Sequence, residues 1–434
     1  MSDARKPDAP LRLGLAGLGT VGVGVLQILQ RHPDLIARRA GRPIEVVAVS
    51  ARDRSKTRDA DLSGLAWESD PVALARHPDI DVFIEVMGGH DGPAKAATEA
   101  AISAGHDVVT ANKALLAHFG QDLAEAAEAK GHVIRFEAAV AGGIPVIKAL
   151  TEGLAGNQIK RVMGVMNGTC NYILTRMQSA GLPYDQVFEE ARQLGYLEAD
   201  PNLDVGGIDA GHKLSLLAAI AFGTKVDFDA VDLEGIGNIS IDDIRLAADM
   251  GYRIKLLGVA QMTGRGLEQR MTPCLVPADS PLGQLQGGTN MVVLEGDAVG
   301  QIVMRGPGAG MGPTASAIMG DVIDIARGTR LSTFGQPAHS LITAPKARTA
   351  TAAPHYLRMT LIDKPGALAK IATCLGEAGV SIDQMRQYGH SGTNAPVLIV
   401  THKATRDDID HAMGLFAGTG VLVGAPVAIR IEEV

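Results

Sequence analysis

Acidic and basic side chains gather where one long apolar segment begins, in the stretch LGYLEADPNLDVGGIDAGHKLSLLAAIAF. Asp209 and Lys213 are four residues apart, so they share one face of a predicted helix, and that face continues with Leu216 and Ile220. Desolvation lowers the pKa of a lysine and nearby carboxylates raise it, so such a cluster can hold an ammonium that exchanges a proton with a substrate oxygen. The pattern suits carbonyl reduction; the alternative is a buried ion pair that only orders the helix.

A glycine-rich turn near the N-terminus points to a dinucleotide. Gly17, Gly19 and Gly22 form GLGTVG, directly after the apolar run LRLGLAG and at the start of an amphipathic helix. In this context the first glycine permits the turn, the second admits a pyrophosphate and the third allows close helix packing. The helix N-terminus adds N–H donors and a positive dipole. The alternative is a tight structural turn.

The end of the second predicted strand indicates which dinucleotide binds. A domain that binds NAD usually places an acidic residue there, against the ribose 2′-hydroxyl, whereas this chain has the sequence SARDRSK. Arg52 therefore favours a 2′-phosphate and NADP(H). Asp53 could still serve NAD(H), and a solvated basic loop is the remaining alternative.

A second lysine follows another predicted strand. Lys113, in VTANKAL, comes after HDVVT, at the carboxyl end of a strand where doubly wound folds bind ligands. A surface lysine near a helix start is the alternative.

The elements that must position these residues divide the chain into several units. Over 1–150, short apolar runs such as IEVVAVS and VFIEVMG alternate with helical stretches, which predicts an α/β domain with a doubly wound, Rossmann-like parallel sheet. The pattern over 151–330 predicts an α+β domain for substrate binding and dimerisation. We expect its last helix, near 314–328, to pack back on the first domain. Residues 331–353 resemble a linker, and 354–434 give the order βαββαβ.

Composition excludes several classes of protein. The net charge of −8 offers no general attraction for nucleic acid or anionic lipid. The 3 cysteines lie far apart without CxxC spacing, which favours free thiols over a zinc site or a disulfide framework. The sequence shows neither a signal peptide nor about 18 consecutive apolar residues, so a cytoplasmic protein without a membrane span is expected.

The sequence resembles homoserine dehydrogenase through GLGTVG, VTANK, NGTCNYIL, LGYLEADPNLDVGGIDAGHK, GPGAGMGPTASA and DKPGAL, over nearly the whole chain. By this resemblance Lys213 exchanges the proton at the substrate oxygen, and Lys113 joins cofactor to substrate. Glu198 and Asp209 bind homoserine, with support from Asp204. Further positions carried over are the substrate-pocket residues Thr169 and Tyr196 and the cofactor contacts Thr20, Val21, Arg52, Gly195 and Gly310.

The segment FEAAVAGGIPVI resembles the family's sodium loop. The resemblance implies that main-chain carbonyl groups of Glu137, Val140, Gly142 and Ile144 surround a monovalent cation, in keeping with the preference of hard cations for oxygen. A glycine turn into a helix is the alternative.

The C-terminal unit resembles an ACT regulatory domain through the turn at 363–368, DKPGAL. Such domains bind amino acids at paired interfaces, so the resemblance implies feedback by threonine and a homodimer or homotetramer. A dimerising module without an effector is the alternative. Only about ten residues precede the first strand, so the monofunctional form, with no preceding kinase, is expected.

The expected reaction is the NADP(H)-dependent interconversion of L-homoserine and L-aspartate 4-semialdehyde, on the route to threonine, methionine and isoleucine. Two rivals remain. Aspartate-semialdehyde dehydrogenase would need a nucleophilic cysteine, for which Cys170 is the candidate. A non-catalytic sensor would bind nucleotide and amino acid without turnover.

Overall fold

The N-terminal part of the chain forms a parallel sheet with helices. The computed structural model describes residues 9–197, 200–388 and 393–433. Its first elements are β1 (Leu11–Ala16), α1 (Thr20–Arg31), α2 (Pro33–Ala40), β2 (Ile44–Ser50), β3 (Ala66–Glu68), α3 (Pro71–Ala75), β4 (Val82–Glu85), α4 (Pro93–Ala104), β5 (Asp107–Thr110), α5 (Lys113–Glu128) and β6 (Ile134–Arg135).

The strand order of this sheet is β3-β2-β1-β4-β5-β6, with parallel pairing throughout. The order reverses direction between β1 and β4, and in such sheets ligands bind at this switch point, beyond the carboxyl ends of the strands. The central strands are buried because helices cover both faces, which explains their nearly continuous apolar runs. The predicted Rossmann-like sheet is confirmed.

The middle of the chain carries a mixed sheet and its helices. A 3₁₀ turn (Glu137–Ala139) leads to α6 (Val146–Lys148), which continues into a wider π turn (Ala149–Gly153). The elements after it are β7 (Ile159–Val165), α7 (Gly168–Ala180), α8 (Tyr184–Gln193), α9 (Pro201–Val205), α10 (Ile208–Phe222), β8 (Asp232–Leu233), α11 (Ile241–Asp249), β9 (Tyr252–Thr263), β10 (Gly266–Pro277), β11 (Thr289–Gly296), β12 (Gly300–Pro307) and α12 (Met311–Ala326).

Helix α12 returns to the N-terminal sheet. Ala315, Ile318 and Val322 lie in the same buried cluster as Leu13 of β1 and Val25 of α1. The chain therefore crosses back after the mixed sheet, and this crossing places the turn before α12 beside the turn before α1.

The C-terminal unit has the order β13 (His355–Ile362), α13 (Ala367–Glu377), β14 (Ile382–Gln387), β15 (Asn394–Thr401), α14 (Arg406–Gly418) and β16 (Val427–Ile431). This is the predicted βαββαβ arrangement, and its sheet order is β16-β13-β15-β14. Strand β16 also pairs in parallel with β10, through Cys274 with Arg430 and Leu275 with Ile431. The C-terminal sheet and the middle sheet are therefore continuous.

The segment 331–353, expected to be a linker, is irregular but packed. A short 3₁₀ turn (Ala338–Ser340) interrupts it, Phe334 is buried, and single bridges join Ile342 to Thr224 and Lys346 to Leu267. The domain boundaries given above stay predictions. Among the described helices, none has the length and apolar character that crossing a bilayer requires.

Candidate active site

The turn between β1 and α1 accepts only glycine at two positions. Gly17 has φ +108°, and a Cβ atom there would lie 2.6 Å from the carbonyl oxygen of Val86. A Cβ atom on Gly22 would lie 1.9 Å from the oxygen of Gly17, so the third glycine permits the close packing of helix on turn. At Gly19 a Cβ atom would meet nothing within 4 Å. The turn is thus tight on its inner side and open where a pyrophosphate would approach.

In the loop after β2, the carboxylate of Asp53 is engaged in hydrogen bonds within the loop. The carboxylate of Asp53 accepts hydrogen bonds from the backbone N–H (2.9 Å) and hydroxyl (2.7 Å) of Ser55, and these bonds lower its pKa. Arg58 donates to the carbonyl oxygens of Leu18 (3.1 Å) and Asp53 (2.6 Å), and so ties this loop to the glycine turn. Arg52 is exposed. Sequence reasoning missed the bracing role of Arg58.

A cleft of about 520 Å³ lies between the parallel sheet and helix α10, with the turn before α12 along one side. The predicted site residues that line it are Val21, Lys113, Val140, Asp209, Lys213 and Gly310. The predicted residues that lie outside its lining are Gly17, Gly19, Thr20, Gly22, Arg52, Glu137, Gly142, Ile144, Thr169, Gly195, Tyr196 and Asp204. Glu198 lies outside the described residues.

Two lysines, Lys113 and Lys213, form ion pairs with the same carboxylate, that of Asp209. Asp209, in the first turn of α10, places Oδ2 2.6 Å from Nζ of Lys213 and Oδ1 2.8 Å from Nζ of Lys113, the first residue of α5. Lys213 also donates to the carbonyl oxygen of Met166 at 2.9 Å. Burial alone would raise the pKa of Asp209, but the two ammonium groups hold it well below its usual value. The carboxylate is therefore ionised, and the group of three carries one net positive charge at the cleft.

An asparagine that the sequence reasoning passed over connects this group to Asp204. The side-chain amide of Asn167 donates to Asp204 (2.9 Å) and to Asp209 (3.3 Å). Its oxygen accepts the backbone N–H of Cys170 at 2.8 Å and thereby caps helix α7. The available signal was the Asn in NGTCNYIL, at a position typical of a helix N-cap.

Thr169 and Tyr196 contact each other and form a wall that lies outside the lining of the cleft. The hydroxyl of Thr169 donates to the carbonyl oxygen of Tyr196 at 2.9 Å, and the ring of Tyr196 stacks on Tyr172 with centroids 4.5 Å apart. Gly195 has φ +74°, which allows the chain to turn before Tyr196. The wall leads directly into the segment that contains Glu198.

Cys170 is not placed as a nucleophile. Its side chain is buried, and its thiol donates to the carbonyl oxygen of Asp204 at 3.3 Å. Burial raises the pKa of the Cys170 thiol well above its usual value, and the carboxylates of Asp204 and Asp209 raise it further. Because the thiolate is the reactive form, this environment opposes the acyl-transfer chemistry of the aspartate-semialdehyde dehydrogenase alternative.

A buried glutamate at the end of β4 holds the loop that lines one side of the cleft. Glu85 accepts hydrogen bonds from the N–H of Met87 (2.7 Å) and from the hydroxyl of Thr110 (2.7 Å). Asn112 caps α5 and donates to the carbonyl oxygen of Gly89 at 2.6 Å. Burial raises the pKa of Glu85, although the bonds from Thr110 and the backbone oppose the shift. This network fixes the 86–90 loop relative to Lys113; in the sequence, Glu85 appears only as one polar residue in an apolar strand.

A histidine beside Lys213 is held neutral. His212 lines the cleft and packs against Phe228 (ring centroids 4.2 Å apart) and His118 (5.4 Å). Burial lowers the pKa of His212 to about 4, and His118 adds to the shift. At neutral pH this ring adds no positive charge beside the two lysines.

The segment that resembles a sodium loop is buried except at Gly143 and Pro145, and internal hydrogen bonds hold it in place. The carboxylate of Glu137 accepts the N–H groups of Ile147 (2.9 Å) and Lys148 (2.8 Å), which closes the loop on itself. Burial and the neighbouring Asp321 raise the pKa of Glu137 to about 7. A Cβ atom on Gly142 would lie 2.4 Å from the carbonyl oxygen of Gly308, so the loop touches the turn before α12. In the described part of the chain no group of three or more His, Cys, Asp or Glu is arranged to hold a metal ion, so a cation here would rely on carbonyl oxygens.

Comparison with known families matches most of the chain. Residues 17–137 match the family described as "Homoserine dehydrogenase, NAD binding domain", residues 145–323 match "Homoserine dehydrogenase", and residues 355–416 match "ACT domain". The first match contains the glycine turn and Lys113, the second contains Asp209 and Lys213, and the third covers the C-terminal unit as far as α14.

Individual proteins give the same result. A homoserine dehydrogenase of Neisseria gonorrhoeae is 41% identical over 432 residues, covering 98% of this chain and 99% of that protein, and one of Pseudomonas aeruginosa is 41% identical over 434 residues, with the same coverage. The crystal structure of a homoserine dehydrogenase from Thiobacillus denitrificans superposes with a TM-score of 0.92 at 40% identity, covering 98% of this chain and 99% of that one. A hyperthermophilic archaeal homoserine dehydrogenase in complex with NADPH has a TM-score of 0.61 at 26% identity, covering 73% of this chain and 97% of that one.

Proposed function

The chain belongs to the homoserine dehydrogenase family, and from that premise we propose which of its residues perform the reaction and with which cofactor. It is an NAD(P)-dependent oxidoreductase with a C-terminal ACT regulatory domain. The observation that carries the proposal is the single carboxylate of Asp209 held between Lys113 and Lys213 at the cleft.

Lys213 is the group that exchanges the proton with the substrate oxygen. Its ammonium is fixed by Asp209 and the carbonyl oxygen of Met166, which leaves its remaining hydrogen for a third acceptor. In aldehyde reduction Lys213 gives this proton to the oxygen, and in alcohol oxidation the neutral amine takes the hydroxyl proton. The nicotinamide, when bound, supplies or accepts the hydride at the same carbon.

The net positive charge of Lys113, Asp209 and Lys213 lowers the activation free energy of hydride transfer. When hydride adds to the aldehyde carbon, negative charge develops on the substrate oxygen. An ammonium that is already in place next to this oxygen stabilises the charge without any rearrangement of the site. Lys113 adds to this field from the nucleotide domain, because its ammonium shares the carboxylate of Asp209. Asp209 itself positions both lysines and binds substrate.

The substrate's amino group is bound on the acidic side of the site. Asp204 and Asp209 are joined through Asn167, and Glu198 follows in sequence from the Thr169 and Tyr196 wall. We assign Glu198, Asp204 and Asp209 to binding the ammonium of homoserine, with Thr169 and Tyr196 shaping the pocket. Such contacts hold the reacting carbon in one orientation relative to the cofactor.

NADP(H) is the proposed cofactor. Gly17, Gly19 and Gly22 give the turn that a pyrophosphate needs, and we assign Thr20, Val21, Gly195 and Gly310 to further contacts with the cofactor. Asp53, the acidic residue that could select NAD(H), already binds Ser55, whereas Arg52 is exposed at the end of β2. A guanidinium in that place recognises a 2′-phosphate.

A monovalent cation, Na⁺, fits the buried 137–144 loop. Glu137, Val140, Gly142 and Ile144 would hold it through carbonyl oxygens. Bound there, it would brace the loop against the turn that precedes α12, where Gly142 and Gly308 touch.

The remaining assignments concern the effector, the oligomeric state and the cellular location. The ACT domain implies binding of a small-molecule effector. We propose that this effector is threonine, that the enzyme assembles as a homodimer or homotetramer, and that it works in the cytoplasm, where the free, buried Cys170, Cys274 and Cys374 would stay reduced.

The proposal is tested by following cofactor reduction when L-homoserine is added, with NADP⁺ and NAD⁺ in parallel. We expect turnover with homoserine, a lower KM for NADP⁺, and little turnover with a four-carbon hydroxy acid that lacks the amino group. Binding of both ligands without turnover would instead support a sensor. Equal use of the substrate without its amino group would contradict the role given to the acidic residues.

A further inference from the structure

A lysine that takes no part in the reaction lies buried in the middle sheet. Lys255, in β9, is 3% exposed, and no carboxylate among the described residues balances its charge. Burial lowers the pKa of Lys255 to about 8, and Arg253 adds repulsion. A buried charge without an opposite charge is costly, so its presence in this strand requires a compensating set of hydrogen bonds.

The ammonium of Lys255 bonds to two separate parts of the chain. Nζ donates to the side-chain oxygen of Asn171 in α7 at 2.9 Å and to the carbonyl oxygen of Leu285 at 2.5 Å. The amide of Asn171 in turn donates to the carbonyl oxygen of Gly287 at 2.7 Å. Lys255 and Asn171 thus fasten the turn at 285–288 to the first half of α7.

That turn supports the substrate wall. A Cβ atom on Gly168 would lie 2.6 Å from the carbonyl oxygen of Gly288, so the start of α7 rests directly on the turn. A Cβ atom on Gly288 would lie 3.5 Å from the ring of Tyr196. Thr169, next to Gly168, bonds to the carbonyl oxygen of Tyr196. The contacts therefore run from Lys255 through the turn to Thr169 and Tyr196.

We propose that Lys255 is a positioning residue for substrate binding: through Asn171 and the 285–288 turn it fixes the wall formed by Thr169 and Tyr196. This inference rests on the proposed function, because that function gives the wall its substrate. Lys255 is not among the residues that line the cleft, so it acts through the position of the wall and not by contact with the substrate.

The test compares Lys255→Met with Asn171→Ala and with the double variant. Each single change removes one end of the same contact, so the KM for L-homoserine should rise about tenfold or more, the loss expected for a hydrogen bond to a charged group. The Kd for NADP⁺ should stay within about twofold. The double variant should have a KM close to that of the worse single variant, because interactions in one network are not additive.

Leu256→Ala is the matched control. Leu256 is the next residue in β9 and is buried in a different cluster from Leu285, so its truncation should lower thermal stability while Lys255 keeps its bonds to Asn171 and Leu285. We expect its KM to match the wild type. Amide hydrogen exchange gives a readout that does not depend on activity: exchange at 285–288 and at Thr169 should accelerate in Lys255→Met and not in Leu256→Ala.

The inference is overturned if folded Lys255→Met keeps a KM within twofold of the wild type, if exchange at 285–288 is unchanged, or if the two single effects multiply in the double variant. Failure of the proposed function is distinguishable, because it would appear as absent homoserine turnover in the wild type, whereas the exchange comparison among variants would still report on the turn.

Discussion

Replacing Asp209 with asparagine removes the negative charge of the side chain and keeps its size, so it tests what the charge contributes to stability and turnover. The change keeps one acceptor oxygen but leaves Lys113 and Lys213, at 2.8 and 2.6 Å, without the carboxylate that they share. Breaking a buried ion pair typically costs about 3–5 kcal/mol of folding stability. Turnover should fall about 10²- to 10⁴-fold, the range for a misplaced general acid or base, because Lys213 loses the partner that orients it.

The pH dependence of the stability loss follows from the pKa of Asp209. Its folded pKa lies below the unfolded value of about 4, so the carboxylate's contribution is fully present above that value and is lost as the pH falls below it. The difference in unfolding free energy between wild type and Asp209→Asn, measured by denaturant titration, should therefore be constant from about pH 5 to pH 8 and should shrink only in more acidic solution.

Asp243→Asn is the control. Asp243 is buried and paired with Arg358, and neither residue lines the cleft, so its loss should reduce stability while kcat and KM stay near those of the wild type. If Asp209→Asn kept normal turnover, or if its stability loss grew steadily between pH 5 and pH 8, the assignment of an ionised carboxylate between two ammonium groups would be refuted.

Other variants test separate parts of the account. Arg52→Ala should raise the KM for NADP⁺ about tenfold or more, by loss of charge-assisted contacts to the 2′-phosphate, and leave the KM for NAD⁺ within about twofold; equal effects on both cofactors would contradict the assignment. Cys170→Ala should keep steady-state turnover of homoserine within about twofold, because the thiol is buried and protonated, and a large loss would restore the case for thiol chemistry. Asp249→Asn removes the negative charge that α11 presents to Arg386 (2.5 Å) and Tyr388 (2.6 Å) of the C-terminal unit, so it should shift the half-inhibiting concentration of threonine, the proposed effector, without changing threonine-free turnover; an unchanged inhibition curve would exclude this contact from regulation.

Features with a local signal were predictable from the sequence. The glycine turn at Gly17, the alternation of apolar strands and helices, and the βαββαβ order all depend on short-range spacing, and each is confirmed in the fold. The pairing of Asp209 with Lys213 is likewise a matter of helical spacing, and the structure brings these two side chains together.

Features that depend on distant parts of the chain were not predictable. Nothing in the sequence of β16 indicates that it joins β10, more than 150 residues earlier, because an alternating apolar pattern shows which face of a strand is buried but not which distant strand is its partner. The contact of Lys113 with Asp209 depends in the same way on how two domains meet. Lys255 lies in KLLGVAQM, which reads as an ordinary strand, so its burial and its bond to Asn171 became visible only in the structure.

The most direct test of the central claim is the single-turnover rate of hydride transfer from L-homoserine in Lys213→Met, with NADP⁺ prebound. The account predicts a rate about 10²- to 10⁴-fold below that of the wild type, while the Kd for NADP⁺ stays unchanged. Hydride transfer at the wild-type rate in the folded variant would show that the ammonium of Lys213 does not handle the proton.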